Sequence, residues 1–367
     1  MEPQMEKLNF TELLKKLVAL RPVSSDIPAC NSVVNHLNVL MNQQGLHTAV
    51  EDINGRHTLY VSTMPGKKQQ ILFSSHLDVV PAADEKQFSS YEENGRLYGR
   101  GAGDCLGNTM AVLTALIRAK GQYSAAAIFN SDEEIGGNTV SIMLQRGYGA
   151  VRSVVVSDHY EEDKITCREK GILNVTLIAH GEGGHAAYLM DPDKNPVDKL
   201  AKAYLDLRAA WQNPADRYDW KDSLNGTVLE GSQAVNQVPP TAKVRLNIRY
   251  TVPGSVPAIL QKIRNAVGDG IEIIHEDVCS PVATDVDSPE VQSFKKSFEA
   301  VRPGHDIGFA GMCGATDARH YCALGLPVII CGVKSIGAHG PAEYVELSSI
   351  PLFAEIYYQY IISKRHR

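Results

Sequence analysis

Four apolar runs in this chain end in the same way. QILFSS passes into His76-Leu77-Asp78, AAAIFNS into Asp132-Glu133-Glu134, and VRSVVVS into Asp158-His159, while LPVIICGV is followed by KSIGAHG with His339. Short apolar runs without polar alternation are expected of strands buried on both faces. Segments with helical character, such as NTMAVLTALIRAK and TVSIMLQRG, lie between them. Alternating strands and helices imply right-handed crossovers and a largely parallel sheet covered on both sides. In such sheets the functional crevice lies beyond the carboxyl ends of the strands. A run of acids such as Asp132-Glu133-Glu134 can simply open a helix or form a solvated face. Polar residues repeated at four strand ends converge on one edge instead, and that repetition points to a site.

The middle of the chain follows another rule. From about Leu173 to Val282, NVTLIAH and AKVRLNIRYTV show period-two alternation, the mark of a sheet with one solvated face. Val244, Leu246, Ile248 and Tyr250 are expected to face a core, with Lys243, Arg245, Asn247 and Arg249 outside. PGSVPAILQKIRNAV reads as a helix opened by prolines and GIEIIHEDV as a further strand. The expected fold class is therefore α/β, a mostly parallel sheet covered by helices, with an inserted α+β domain. Residues 1–171 and 283–367 are assigned to the first domain and 172–282 to the insertion, a division that 367 residues can support.

Charge and composition exclude several partners. A net charge of -6 opposes a phosphate-binding surface, so neither nucleic acid nor anionic membrane is expected as a partner. No apolar stretch has the length of a bilayer span, and the first twenty residues read as an amphipathic helix rather than a signal peptide. The seven cysteines are scattered and form no CxxC pair, which fits reduced thiols in the cytoplasm better than disulfides or a thiolate zinc site. No GxGxxG or Walker pattern follows the first strand, which removes nucleotide binding.

Two histidines and several carboxylates, without a convergent cysteine, make a donor set for zinc, with manganese or cobalt as substitutes. Two ions sharing a carboxylate would require about five ligands, and one further carboxylate must stay free to move a proton. SSHLDVVP, GRLYGRGAGDCLGN, NSDEEIGG, GHAAY, NQVPPTAKVRLNIRY, GATDAR and GAHGPAEYV occur here in the order found in one family. The chain resembles the dinuclear-metal peptidases and deacylases that include aminoacylase, acetylornithine deacetylase, succinyl-diaminopimelate desuccinylase, glutamate carboxypeptidase, peptidase T and carnosinase.

That resemblance implies a hydrolase that cleaves an amide bond in a small peptide or N-acyl amino acid, with a water between two metal ions as nucleophile. It implies His76 as a ligand with the Asp78 carboxylate behind it, Asp104 as the bridge, Glu134 and His339 on the second ion, and Asp158 completing the first, with His159 as the alternative. Glu133 becomes the general base, and His185 of the inserted lid polarises the carbonyl, often across a homodimer. Asn236 and Arg249 match positions that hold the substrate carboxylate, and Thr316 lies in a substrate-side loop. DCLGN stands where many relatives have Asp-Met-Lys-Gly-Gly, a change that touches no ligand. Asp158, where deacetylases and desuccinylases usually carry glutamate, places SDHY nearer the dipeptidases. The alternatives are a hydrolase of carbamoyl or amidine C–N bonds and a non-catalytic metal-binding relative. The latter is signalled by loss of Glu133 or a ligand, and none is lost here.

Overall fold

The computed structural model describes residues 8–363; part of the amphipathic stretch expected at the start, residues 1–7, lies outside them. The first described helix begins at Phe10, where the Asn9 side chain accepts the amides of Thr11 and Glu12, and it buries Leu13, Leu14, Leu17 and Val18. The chain divides into two compact units. One comprises the chain up to Cys167, Thr284–Ala310 and the chain from Thr316 on; the other comprises Arg168–Ala283 and Gly311–Ala315. The second unit therefore extends past the alternating stretch at both ends. It also takes in a short later segment, where the Met312 carbonyl accepts the Lys170 amide at 3.1 Å.

The sheet of the first unit is mixed. Its strands run in the order His47–Ile53, Arg56–Ser62, Ala125–Asn130, Lys68–His76, Gly149–Ser157, Val328–Cys331. The last four, which precede the polar ends, are parallel to one another. The first two form an antiparallel hairpin on one flank, and Lys164–Glu169 pairs antiparallel on the other. Register brings the ends level. His76 stands opposite Asn130, Ser74 opposite Val156 and Cys331 opposite Ser157, so the residues that follow each strand emerge at one edge.

Leu72, Phe73, Phe129, Val155 and Ile329 are fully buried, as central parallel strands require. Helix Ser349–Ser363 covers the sheet, with the Tyr357 ring 5.1 Å from Phe73 and its hydroxyl 2.7 Å from Ser157 Oγ. Helix Gly107–Ala119 is buried along most of its length. A smaller antiparallel sheet joins Tyr91–Glu93, Arg96–Tyr98, Tyr344–Glu346 and Ser335–Ile336.

The second unit is a four-stranded antiparallel sheet in the order Ser223–Glu230, Thr241–Tyr250, Gly171–His180, Ile271–Cys279. Val244, Leu246, Ile248 and Tyr250 form its core with Leu173, Val175 and Leu177, joined by Leu200 and Leu207 of helix Pro196–Ala210 and by Ile259 and Ile263 of helix Val256–Val267. Among the described residues no helix is long and apolar enough to cross a membrane. None of the seven cysteines forms a disulfide.

Candidate metal centre

The strand ends at His76, Glu134 and Asp158, together with the Ala102–Leu106 segment and the loop of His339, deliver two groups of donors. Atoms of His76, Asp104, Cys105 and Asp158 lie within 4.8 Å of one another, as do atoms of Asp104, Glu134 and His339. Asp104 belongs to both. One carboxylate oxygen is 2.9 Å from His76 Nε2 and the other 3.3 Å from His339 Nε2, and His339 Nε2 is also 2.9 Å from a Glu134 oxygen. Ligand atoms that share a tetrahedral ion at ~2.0–2.1 Å stand roughly 3.3 Å apart, so these separations suit two ions bridged by one carboxylate. The His76 tautomer suits them as well. Its Nδ1 donates at 2.9 Å to a backbone carbonyl, so Nε2 is the ring atom that faces Asp104 and the one that an ion would take in place of a proton. The acceptor is the Asp78 backbone carbonyl; the Asp78 carboxylate expected behind the ring is farther, at 3.5 Å.

That carboxylate has another task. It accepts the amides of both Glu133 (3.2 Å) and Glu134 (3.3 Å), and Ser24 Oγ at 2.7 Å. Arg56 clasps the same turn from behind, donating to the carbonyls of Ser131 and, at 2.9 Å, Ser24. Two successive amides held on one carboxylate fix an irregular turn in which the glutamates diverge. Glu134 reaches His339, while Glu133 faces Arg319 at 3.5 Å. The third acid of the run is structural. Asp132 is buried and accepts the Thr139 amide and hydroxyl and the Asn130 side chain. The glycine pair follows from this. Gly136 has φ 66°, and a Cβ on Gly137 would stand 1.8 Å from an Asp132 oxygen.

His339 sits in the left-handed region at φ 63°. For a non-glycine residue this conformation costs roughly 1–3 kcal/mol and persists where neighbours over-determine it. Arg100 Nη2 donates to its carbonyl at 3.0 Å, and Arg100 is ion-paired with the buried Glu343.

Burial raises Glu133, Glu134 and Asp158 above the usual carboxylate range, with His76 opposing and neighbouring carboxylates reinforcing the shift. For Asp104 burial acts in the same sense, but hydrogen bonds from His339 and His76 outweigh it and hold the group below its ordinary value. His339 is lifted to about 9, chiefly by its bond to Asp104. Acids crowded beside imidazoles in this way are the donor chemistry of a divalent cation. Cys105, beside the first group, is turned to the backbone. Burial, aided by Asp158, pushes its thiol to about 12, and it donates to the Ser157 carbonyl at 3.0 Å. His159, the alternative to Asp158, turns elsewhere: its Nδ1 accepts the Glu161 amide and its Nε2 lies 3.3 Å from Thr166 Oγ1. Thr316 is buried at 6% exposure, accepting the Ala318 amide on its hydroxyl and Arg319 Nη1 on its carbonyl.

The model of Peptidase family M20/M25/M40 matches residues 72–363, which include all of these strand ends. The chain belongs to the M20 peptidase family. Its relatives include a succinyl-diaminopimelate desuccinylase of Rickettsia bellii, 24% identical over 392 residues and covering 96% of each chain. In fold it is similar to a tripeptidase of Staphylococcus aureus (TM-score 0.80, 17% identity, 98% of this chain and 100% of that one). It is also similar to the YXEP protein of Bacillus subtilis, described as a dinuclear metal-binding peptidase (TM-score 0.69, 12% identity, 96% and 98%). This M20 chain is a metallohydrolase acting on C–N bonds.

In the second unit of this M20 hydrolase, two expected residues lie together. Gly184-His185 pairs antiparallel with Gln237-Val238, and the Asn236 carbonyl accepts the Ala186 amide at 2.9 Å. His185 is exposed, and its Nδ1 accepts the Ala187 amide at 3.2 Å, so a neutral ring carries its proton on Nε2 as a donor. Arg249 lies on the Thr241–Tyr250 strand instead, opposite Ser223, with Nε donating to Asn247 at 3.0 Å. Sequence reasoning passed over Arg56, Ser24, Arg100, Glu343 and Arg319. Arg100, Glu343 and Arg319 stand inside the motifs that carried the resemblance. Their signal was a charge in a glycine-rich segment, which the pattern alone does not separate from a surface charge.

Proposed function

We propose that this M20 hydrolase cleaves small peptides with a free amino group, using two divalent ions held by His76, Asp104 and Asp158 on one side and Asp104, Glu134 and His339 on the other. The carrying observation is the Asp104 carboxylate, with one oxygen toward each histidine. When bound, the ions would supply Lewis acidity and a water of lowered pKa. Zinc suits the nitrogen and oxygen donors, and cobalt or manganese would substitute. Glu133 takes the proton from the attacking water and passes it to the leaving nitrogen. Its position beside Glu134 without a share in either donor group supports that role. The Nε2–H of His185 donates to the carbonyl oxygen as charge develops there. Asn236 and Arg249 hold the substrate carboxylate, and Thr316 shapes the loop on the substrate side. Arg249 Nη1 has no hydrogen-bond partner among the described residues, which suits an anion.

The preference for a free amino group rests on Asp158, the shorter ligand. A desuccinylase or deacetylase is the second reading, favoured by the 24%-identical relative. We assign residues 172–282 as a lid through which two copies associate. Seven cysteines without a disulfide support a cytoplasmic location.

The test presents one amino acid as a dipeptide, as its N-acetyl form and as its N-succinyl form, to protein stripped with chelator and reloaded with zinc. Activity lost on stripping and restored on loading is expected, with kcat/KM favouring the dipeptide tenfold, about 1.4 kcal/mol of transition-state binding. An acyl compound ahead by that margin would overturn the substrate reading. Full activity in metal-free protein would overturn the centre.

A further inference from the structure

Arg100 and Glu343 have no part in the roles above, yet their side chains are only 2% and 1% exposed. The small antiparallel sheet explains how they meet. Tyr98 pairs with Tyr344, and just beyond the ladder the Gly99 amide donates to the Glu343 carbonyl at 3.0 Å. Arg100 Nη1 donates to Glu343 Oε2 at 2.5 Å. The other carboxylate oxygen, Oε1, accepts the amides of Gly103 and Asp104, each at 3.1 Å. The remaining arm of the guanidinium, Nη2, donates to the His339 carbonyl at 3.0 Å.

One ion pair therefore holds the backbone of two residues far apart in sequence, and both belong to the Asp104–Glu134–His339 donor group. A buried ion pair is weak evidence for stability, because apolar replacements serve as well. Its directed bonds carry more information. Each unit of the pair has an oxygen or a nitrogen left over from the pairing, and each spends it on the backbone beneath a metal-site side chain. Residues placed behind ligands in this way orient them and tune metal affinity. Glu134 is held separately, through Asp78.

We propose that Arg100 and Glu343 form one positioning unit that sets occupancy of the Asp104–Glu134–His339 group. The proposal rests on the metal-binding reading of that group. Glu343 holds the loop that presents Asp104, and Arg100 holds His339 in its left-handed conformation. Neither touches substrate.

The test is zinc titration of Arg100→Lys, Glu343→Gln and the double variant Arg100→Gln/Glu343→Gln against a chromophoric chelator. Visible spectra of the cobalt(II)-loaded proteins give a second readout. The double variant removes both charges, so it avoids the uncompensated buried charge that could unfold a single variant. Wild type is expected to take up two ions. The variants, folded by circular dichroism, are expected to bind one ion tightly and the other 10–100-fold more weakly, with the cobalt spectrum of the second equivalent altered. Two ions bound with wild-type affinity by the folded variants, whatever their melting temperature, would overturn the proposal alone. A wild-type chain that takes up no second ion would overturn the reading of the centre and this proposal with it.

Discussion

Asp78→Asn is the substitution from which the centre's architecture is most exposed. The side chain keeps its shape but loses its charge, and one of its two acceptors becomes an NH2 donor. In the wild type Oδ1 receives the Glu133 amide and Oδ2 receives the Glu134 amide with Ser24 Oγ. Either orientation of the asparagine amide sets an N–H against a backbone N–H. An orphaned buried donor costs about 1–3 kcal/mol, and each surviving bond drops from the charged range of ~1.5–3 toward the neutral ~0.5–1.5 kcal/mol. The combined loss is about 3 kcal/mol. It falls on the turn that separates Glu133 from Glu134, so it shows in function as well as in stability. Zinc affinity for the ion on Glu134 should fall 10–100-fold, the range for residues that orient ligands. The kcat at saturating zinc should fall too, because Glu133 shares the turn. Ser24→Ala is the control. It removes one bond and leaves both amides on Asp78, so about 1 kcal/mol of stability is lost with kcat nearly unchanged. Chelator-competition titration, kcat at saturating zinc and thermal melts measure the three quantities. An Asp78→Asn protein with wild-type zinc affinity and kcat would refute the assignment of this carboxylate as the organiser of the turn.

Glu133→Gln should retain both ions while kcat drops by roughly 10²–10⁴, as for loss of a general base, whereas Glu134→Gln should lose an ion; metal analysis showing the opposite pattern would reverse their roles. His320 supplies a pH dependence. Burial, reinforced by Arg319, lowers it from 6.5 to about 4, with Nε2 3.1 Å from the Gly137 carbonyl. The unfolded chain takes up this proton below about 6.5 and the folded chain does not, so stability is full above that pH and declines as pH falls toward 4. At 1.36 kcal/mol per unit the difference reaches about 3 kcal/mol. In denaturant melts at matched metal loading, the stability of wild type relative to His320→Gln should decline as pH falls across this window, and parallel curves would contradict it.

The strand ends were legible before any coordinates because the constraint is local. Apolar runs long enough for central strands, passing within a few residues into His76, Glu133-Glu134 or Asp158, point to the carboxyl edge of a parallel sheet when the pattern repeats. The alternation of Val244, Leu246, Ile248 and Tyr250 was legible for the same reason, since a side-chain period of two is written in neighbouring residues. The ambiguity between Asp158 and His159 was not resolvable there. Both follow the same strand, and only the packing that ties His159 to Glu161 and Thr166 separates them. Nor was it visible that Asp132 belongs to the scaffold while its neighbours line the site, because three adjacent acids differ only in what surrounds them. The contact at His76 Nδ1 came from the Asp78 backbone, and sequence patterns carry no information on which atom of a residue is nearer. Arg100 and Glu343 were hidden most deeply. They are 243 residues apart, and their meeting depends on the register of a small sheet that neither motif predicts alone. Sequence determined that His76, Glu133-Glu134 and Asp158 reach the edge, since that follows from periodicity along the chain, while Asp104 entered only through the resemblance. Tertiary structure decided which of them face one another and what holds them, since those contacts depend on how distant segments pair in space.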